Sequence, residues 1–402
     1  MTRVTFGVSC SPYVAIRTTW RAAEDAGSEM EEAAHAVRNN IYVDDYLDSA
    51  GGLDEAIRRA TAVQKVLAGG DFHLSHWVSN SAQLLNEVQP RDDAGTMVES
   101  TTIQLGADDP EMVLRIVWRP GKDTLGFQVK LDYIVYTRVG LLAKVAGLFD
   151  PLGTASPLTV KAKIKLRELG VRGLHWDEPV TKEDRQWWEK YFRTIDGLKE
   201  VEFPRCLFPD ADEVRGLELH TFADASEEAC AASCYVRLIY SDQRVLIRLV
   251  KSAIKLAPLK TVSVCKLELN AALMGARLAH FVQGALRRRC DARFFWTDSS
   301  TVRSWVCGTS SHSQMYVSHR IGEIQTLTEP GEWWFVPGRY NPADAATRSQ
   351  LEEESIPPWW INGPEFLYDK EESWPIDLPW TVAKEELRAA HVHLSVTEPA
   401  FD

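Results

Sequence analysis

Between Leu217 and Ala346 the chain passes through short β-forming runs, one long amphipathic helix and a late helix start, and four acids stand where these elements begin or end. The order is strand Leu217–Ala223, strand Ala229–Ile239, strand Val245–Val250, helix Lys266–Leu286, strand Ala292–Trp296, further helices and strand Glu332–Val336. Strands in succession, then a helix leading to another strand, predict an α/β domain with a mixed sheet. Asp224 and Asp298 close strands, in Phe222-Ala223-Asp224-Ala225-Ser226 and Thr297-Asp298-Ser299. Glu268 falls in the first turn of the long helix, whose Leu269, Leu273, Ala276 and Ala279 form its apolar face. Asp344, in Asn341-Pro342-Ala343-Asp344, falls where a late helix starts. A strand-end Asp is ordinarily a turn residue, and an acid in a first turn complements the helix dipole. Together, two strand ends and two helix starts can meet at one sheet edge and form a carboxylate cluster for two divalent cations about 3.5 to 4 Å apart. All-oxygen ligands suit Mg²⁺, with Mn²⁺ as a substitute.

The preceding half reads differently. Thr18–Arg38 predicts an exposed helix, and Asn40–Asp48 a hairpin with Asp44 and Asp45 at its turn. Leu53–Leu67 is amphipathic, with Ala56, Ile57, Ala60, Val63 and Leu67 at helical spacing and Gly69-Gly70 as the stop. Alternation over Phe72–Val78, and Met112–Trp118 joined to Thr124–Leu131, predict strands of a small antiparallel sheet. Helices are expected over Leu141–Phe149, Val160–Leu169 and Trp187–Phe192. Pro204–Glu213 marks a boundary.

Charge is unevenly distributed. The 402 residues carry a net −12, which on a uniform surface would repel nucleic acid. Yet Tyr235–Arg293 holds twelve Lys and Arg against Asp242, Glu268 and Asp291. Within that island Arg248, Lys251, Lys255 and Lys260 are spaced to follow backbone phosphates, or simply form a solvated face. Arg287-Arg288-Arg289 sits at a predicted helix end and can complement its dipole. Residues 351–402 hold twelve acids against three bases and predict an extended acidic tail or linker. Seven cysteines, an odd number without a CxxC pair, signal neither a disulfide framework nor a zinc site, which predicts an intracellular, cytoplasmic setting, with the nucleus as the alternative. No signal peptide or membrane span is predicted.

An ordered set of motifs resembles the polyprotein of BEL/Pao-type long-terminal-repeat retrotransposons from Met1 to about Arg348. Phe6-Gly7-Val8-Ser9-Cys10-Ser11-Pro12-Tyr13 resembles the template-contacting loop of their reverse transcriptases. Tyr42-Val43-Asp44-Asp45 resembles the polymerase signature, and Phe149-Asp150-Pro151-Leu152-Gly153 the connection region. The four acidic segments resemble, in order, those of the ribonuclease H domain. The resemblance implies that Asp224, Glu268, Asp298 and Asp344 coordinate two Mg²⁺ and cut the RNA strand of an RNA/DNA hybrid. It also implies a multidomain α/β and α+β chain: a partial reverse-transcriptase palm over 1–85, a thumb and connection region over 86–210, a ribonuclease H-like domain over 211–350 and the acidic tail over 351–402.

The polymerase half departs from the family pattern. No acid precedes Gly7, so the third palm aspartate has no counterpart, and Asp44 and Asp45 alone leave a metal pair under-coordinated. No DNA synthesis is expected unless the missing N-terminal segment or another polyprotein product supplies it. His312 and His319 match no motif and stay outside the site. The family region is sometimes labelled a peptidase, but an aspartic dyad needs Asp-Thr-Gly or Asp-Ser-Gly turns. Asp48-Ser49-Ala50 and Asp123-Thr124-Leu125 lack the glycine. Two functions are left: metal-dependent cleavage of a hybrid, or a decayed or repurposed fragment that binds nucleic acid or a partner without catalysis.

Overall fold

The structure is a computed structural model that describes residues 9–74, 76–88, 110–113, 115–286, 288–308, 315–348 and 355–375. The chain forms two compact units, Met1–Glu111 with Trp118–Thr124, and Met112–Val117 with Leu125–Asp402.

In the first unit α1 (Ser11–Asp25) carries Pro12 in its first turn, where the missing N–H costs nothing. A break at Gly27, with φ of 78°, separates it from α2 (Glu31–Asn40), so the helix expected over Thr18–Arg38 is two helices. Strands β1 (Ile41–Tyr42) and β2 (Asp45–Tyr46) pair antiparallel and leave Val43-Asp44 as the turn. Helix α3 (Leu53–Ala68) buries Val63, Val66 and Leu67 against Ala33, Ala34 and Val37 of α2 and Ala23 of α1. Helix α4 (Ala82–Val88) follows. Among the described residues of 72–78 there is no strand: Phe72 and Leu74 lean on the helical core, so the alternation reflects one packed edge without a pairing partner. Strands β3 (Glu111–Val113), β4 (Ile116–Arg119), β5 (Thr124–Gly126) and β6 (Glu202–Pro204) follow in the chain, most of their residues in the second unit.

In the second unit α5 (Arg138–Gly147) is capped by Thr137, which accepts from the Gly140 N–H. Helix α6 (Ser156–Val171) starts from a built turn: the Asp150 carboxylate accepts from the N–H of Thr154 at 2.9 Å and of Ala155 at 2.7 Å. Helix α7 (Lys182–Asp196) buries Trp188, Tyr191, Phe192 and Ile195. The five-stranded sheet consists of β7 (Val214–Ala225), β8 (Ala229–Tyr240), β9 (Val245–Leu256), β10 (Ala292–Thr297) and β11 (Trp333–Phe335), ordered β11-β10-β7-β8-β9. β7, β8 and β9 pair antiparallel, while β10 runs parallel to both β7 and β11, so the sheet is mixed.

Alternation along β7 sends its side chains to two cores. Leu217 and Leu219 meet α8 (Val264–Ala285), α9 (Ser300–Cys307) and α10 (Met315–Leu327) on one face. Phe222 faces the other way, onto Tyr235, Ile247, Trp296 and the α6–α7 layer. Residues 127–203 thus share a core with the sheet, and Pro204–Glu213 does not divide two compact units. The acidic C-terminal stretch also folds in part: α11 (Pro358–Asn362) and the turns after it bury Trp360, Phe366, Leu367 and Trp374 on that second face. Burial of each such aromatic contributes roughly 2 to 3 kcal/mol, enough to hold a segment without regular periodicity. Arg237 of the basic island anchors it from below, donating to the carbonyls of Leu367 and Asp369 and to Glu218.

Candidate active site

Asp224 and Asp298 become neighbours through the parallel pairing of β7 and β10. Thr297 sits opposite Ala223, so the next residue of each strand emerges at the same edge. Packing of α8 on β7 and β8 brings Glu268, five residues into the helix, to that edge. Asp344 arrives on a short 3-10 helix, Pro342–Ala346, where a longer helix was expected. Asn341 sets its position, donating from its amide to the Ala223 carbonyl at 3.0 Å and accepting from the Ala343 N–H at 3.2 Å. All four sequence-predicted acids therefore come together.

Their electrostatics show the crowding. Burial pushes the Asp224 carboxyl up to about 7, and the nearby charges of Asp298 and Asp344 add to it, against a hydrogen bond from Thr347. Burial likewise raises Asp298 to about 6; Glu268 and Asp344 push the same way, and Asn341 opposes them. Glu268 is raised by burial and by Asp224, with Ser299 opposing. Like charges held in a low-dielectric edge produce this pattern.

Three of the carboxylates also have a protein partner outside the predicted set. Thr347, fully buried, donates from Oγ1 to Asp224 Oδ2 at 2.9 Å and shares that hydroxyl with the Asp344 carbonyl. Ser299 Oγ donates to Glu268 while accepting from the Val302 N–H as the cap of α9. Arg348 donates from Nε and Nη2 to Asp344 Oδ1 at 2.9 and 2.7 Å. The signal for Ser299 was its place immediately after Asp298, and for Thr347 and Arg348 their spacing of three and four from Asp344. Among the described residues no group of three His, Cys, Asp or Glu side chains stands in a metal-holding arrangement. Gly338 lies over the edge, where a Cβ would approach Asp298 Oδ2 to 3.1 Å.

The other predicted residues lie elsewhere. Asp44 and Asp45 are exposed in the β1–β2 hairpin, beside Val43 with φ of 59°. Of Phe6-Gly7-Val8-Ser9-Cys10, residues 6–8 lie outside the described residues, as do Arg287, His312 and 376–402. His319 is exposed on α10. The basic four do not form one stripe: Arg248 is half-buried on β9, Lys251 donates to the Pro151 carbonyl, and Lys255 and Lys260 are exposed. Much of the island is paired internally, through Arg237–Glu218, Arg277–Glu323 and Arg293–Glu332. Asp48 and Asp123, weighed for a peptidase dyad, are held by Arg59 and Tyr46 and by Trp118 respectively.

Residues 137–299 match the family described as the Pao retrotransposon-like RNaseH-like domain, a span that contains Asp224, Glu268 and Asp298 and stops short of Asp344. Among solved structures the chain is similar to the N-terminal RNase H domain of rv2228c from Mycobacterium tuberculosis, determined as a fusion with maltose-binding protein. That likeness has 13% identity, a TM-score of 0.23, and covers 33% of this chain and 94% of that one. It is also similar to RNase H1 from the halophilic archaeon Halobacterium salinarum NRC-1, at 14% identity and a TM-score of 0.21, with 33% and 94% covered. No curated protein matches the chain. No described helix is long and apolar enough to cross a membrane. The matched stretch runs from the cap of α5 to the residues just after β10 and so takes in four of the sheet's five strands.

Proposed function

We propose that the chain is a retrotransposon-derived ribonuclease H that hydrolyses the RNA strand of an RNA/DNA hybrid, with Asp224, Glu268, Asp298 and Asp344 as ligands of two divalent cations. The observation that carries this reading is the meeting of four acids from four separated elements at one sheet edge, where burial first and the neighbouring charges second raise Asp224 to about 7 and Asp298 to about 6. Such mutual repulsion is costly in a protein that never neutralises it. An oxygen-only donor set with this excess of negative charge fits a hard dication, Mg²⁺ or Mn²⁺. When bound, the cations would supply a polarised nucleophile and charge for the leaving oxygen. The chain's own groups do the positioning: Thr347 aims Asp224, Ser299 holds Glu268, and Asn341 ties the Asp344 turn to β7.

The partner in this reading is the hybrid, with Lys255 and Lys260 exposed for its backbone phosphates, while Arg248 and Lys251 are half-buried on β9. Asp44 and Asp45 take no part in cleavage. Seven free thiols support an intracellular setting. The test is Mg²⁺-dependent cleavage of a labelled hybrid by the purified chain, with Asp298→Asn and single-stranded RNA as controls. Cleavage of the hybrid alone, lost in the variant, is the expected outcome. A folded protein that binds hybrid and Mg²⁺ without cutting would overturn the enzyme in favour of the non-catalytic binder.

A further inference from the structure

We propose that Arg348 is a resident counter-cation of the carboxylate edge, which occupies Asp344 in the cation-free protein and leaves it when a divalent ion binds. The inference rests on the site reading above and names a positioning residue within it. Residues 344–348 place three functions on one turn: the acid Asp344, the buried hydroxyl of Thr347 that aims Asp224, and the guanidinium of Arg348. Both guanidinium contacts, at 2.9 and 2.7 Å, converge on the same oxygen, Oδ1, instead of forming the two-oxygen fork that Arg and a carboxylate prefer. The backbone beneath is fixed, because Thr347 is fully buried and its carbonyl accepts from Ser226 Oγ at 2.6 Å. The Arg348 side chain itself is 61% exposed, so it can swing into solvent without disturbing that anchor.

Arg237 provides the contrast. It is 6% exposed and donates to Glu218 and to two backbone carbonyls, which is how a permanent structural arginine is built. The Arg348 pair is instead an exposed one between neighbours on a single turn, a kind that contributes little stability and is cheaply broken. A dication at Asp344 would compete for Oδ1 and repel the guanidinium through space. Both effects have the same sign: with Arg348 present, cation binding is weaker than the acids alone would give. A purely structural Arg348, holding Asp344 in a ligating pose, would have the opposite sign.

The experiment is titration of the full chain with Mn²⁺ by calorimetry, using wild type, Arg348→Gln, Arg348→Lys and Asp298→Asn, together with thermal midpoints in EDTA and in saturating Mn²⁺. Arg348→Gln should bind Mn²⁺ about 2- to 5-fold more tightly, the size an exposed ion pair supports. Its midpoint should fall in EDTA and not in Mn²⁺, while Arg348→Lys stays near wild type in both. Arg348→Met, which keeps part of the stem and removes the charge, should repeat the sign if Gln impairs folding. Unchanged or weaker binding in the neutral variants, with wild-type binding intact and abolished by Asp298→Asn, would overturn the role of Arg348 alone. A folded wild type that takes up no Mn²⁺ would overturn the metal site and this role with it.

Discussion

The chain carries two aspartate-bearing motifs of the same kind of promise, and the protein treats them in opposite ways. At the β1–β2 hairpin, Asp44 in the two-residue turn and Asp45 at the start of β2 are both exposed. At the β7–β10 edge, Asp224 is 7% exposed and has a buried threonine on one oxygen and two acids at its side. A carboxylate becomes chemically distinctive when a scaffold buries it, crowds it and orients it. The largest effect that separates the two regions is catalytic. Asp298→Asn should lower hybrid cleavage by more than about 100-fold, beyond what outer-shell groups contribute, while Asp44→Asn and Asp45→Asn leave it unchanged. Loss of cleavage in an Asp45 variant that still folds would break the comparison.

The acids of the edge were legible because strand ends and helix starts can be located from residue spacing alone. Their partners were not, since Ser299, Thr347 and Arg348 acquire roles only once the local turn type is known, and Asp344 stands on a 3-10 turn where a longer helix was expected. Helix α3 was readable because its apolar positions repeat at 3.6 residues. Strand β9 was cut short at Val250, although it continues to Leu256: past that point Lys251, Ser252 and Lys255 carry no alternation, and the ladder with β8 and the bonds to the Leu152–Gly153 turn hold them in line. Trp360, Phe366 and Trp374 were read as tail because irregularly spaced rings give no period, although each ring is large enough to anchor its own turn. Arg237 counts toward the basic island by sequence, and nothing local in a sequence marks an arginine as buried.

How tightly each region dictates its residues gives the next contrast. Gly153 has φ of +76°, and a Cβ there would lie 2.4 Å from the Ser252 carbonyl oxygen, where α6 is fastened to β9. Gly153→Ala should therefore cost roughly 3 kcal/mol, from backbone strain and the collision together. Gly52, beside the hairpin, has open space around it and an extended backbone, so Gly52→Ala should stay within about 0.5 kcal/mol. Denaturant unfolding followed by tryptophan fluorescence measures both. Equal costs would mean that the two regions are equally constrained.

Hydroxyl partners sharpen the comparison further. Thr347→Val keeps the shape and removes the hydrogen bond to Asp224, and it should lower cleavage about 10- to 100-fold, the range for groups that orient a ligand. The matching change in the first unit is Tyr46→Phe, which removes the hydrogen bond to Asp48 at 2.8 Å. That variant should cost about 1 kcal/mol of stability and leave cleavage untouched. A Thr347→Val protein with full activity would show that Asp224 needs no aim.

The smallest effect is a slope. Folded Asp224 titrates at about 7 and Asp298 at about 6, whereas unfolded aspartates titrate near about 3.9. Between those limits the folded state holds protons that the unfolded state has released, so stability falls as pH rises. Asp184 and Glu218 bear on a different range. Both are raised by burial, but Arg172 and Thr181, and His220 and Arg237, outweigh it and hold them below the ordinary value, so their contribution is lost only in acid, below about pH 4. His220, held by burial below its ordinary 6.5, gives a rise over part of the same range, so the edge is read by difference: in EDTA wild type should lose a few degrees more than Asp224→Asn from about pH 5 to pH 7. Asp224→Asn removes the group responsible and should flatten the slope, whereas Asp45→Asn should leave it as in wild type. Saturating Mg²⁺ should reverse the sign, because cation binding requires the deprotonated carboxylates and strengthens as they lose their protons. A slope insensitive to Asp224 and to Mg²⁺ would mean that neither burial nor the neighbouring acids raise Asp224, and the contrast with the hairpin would then fall.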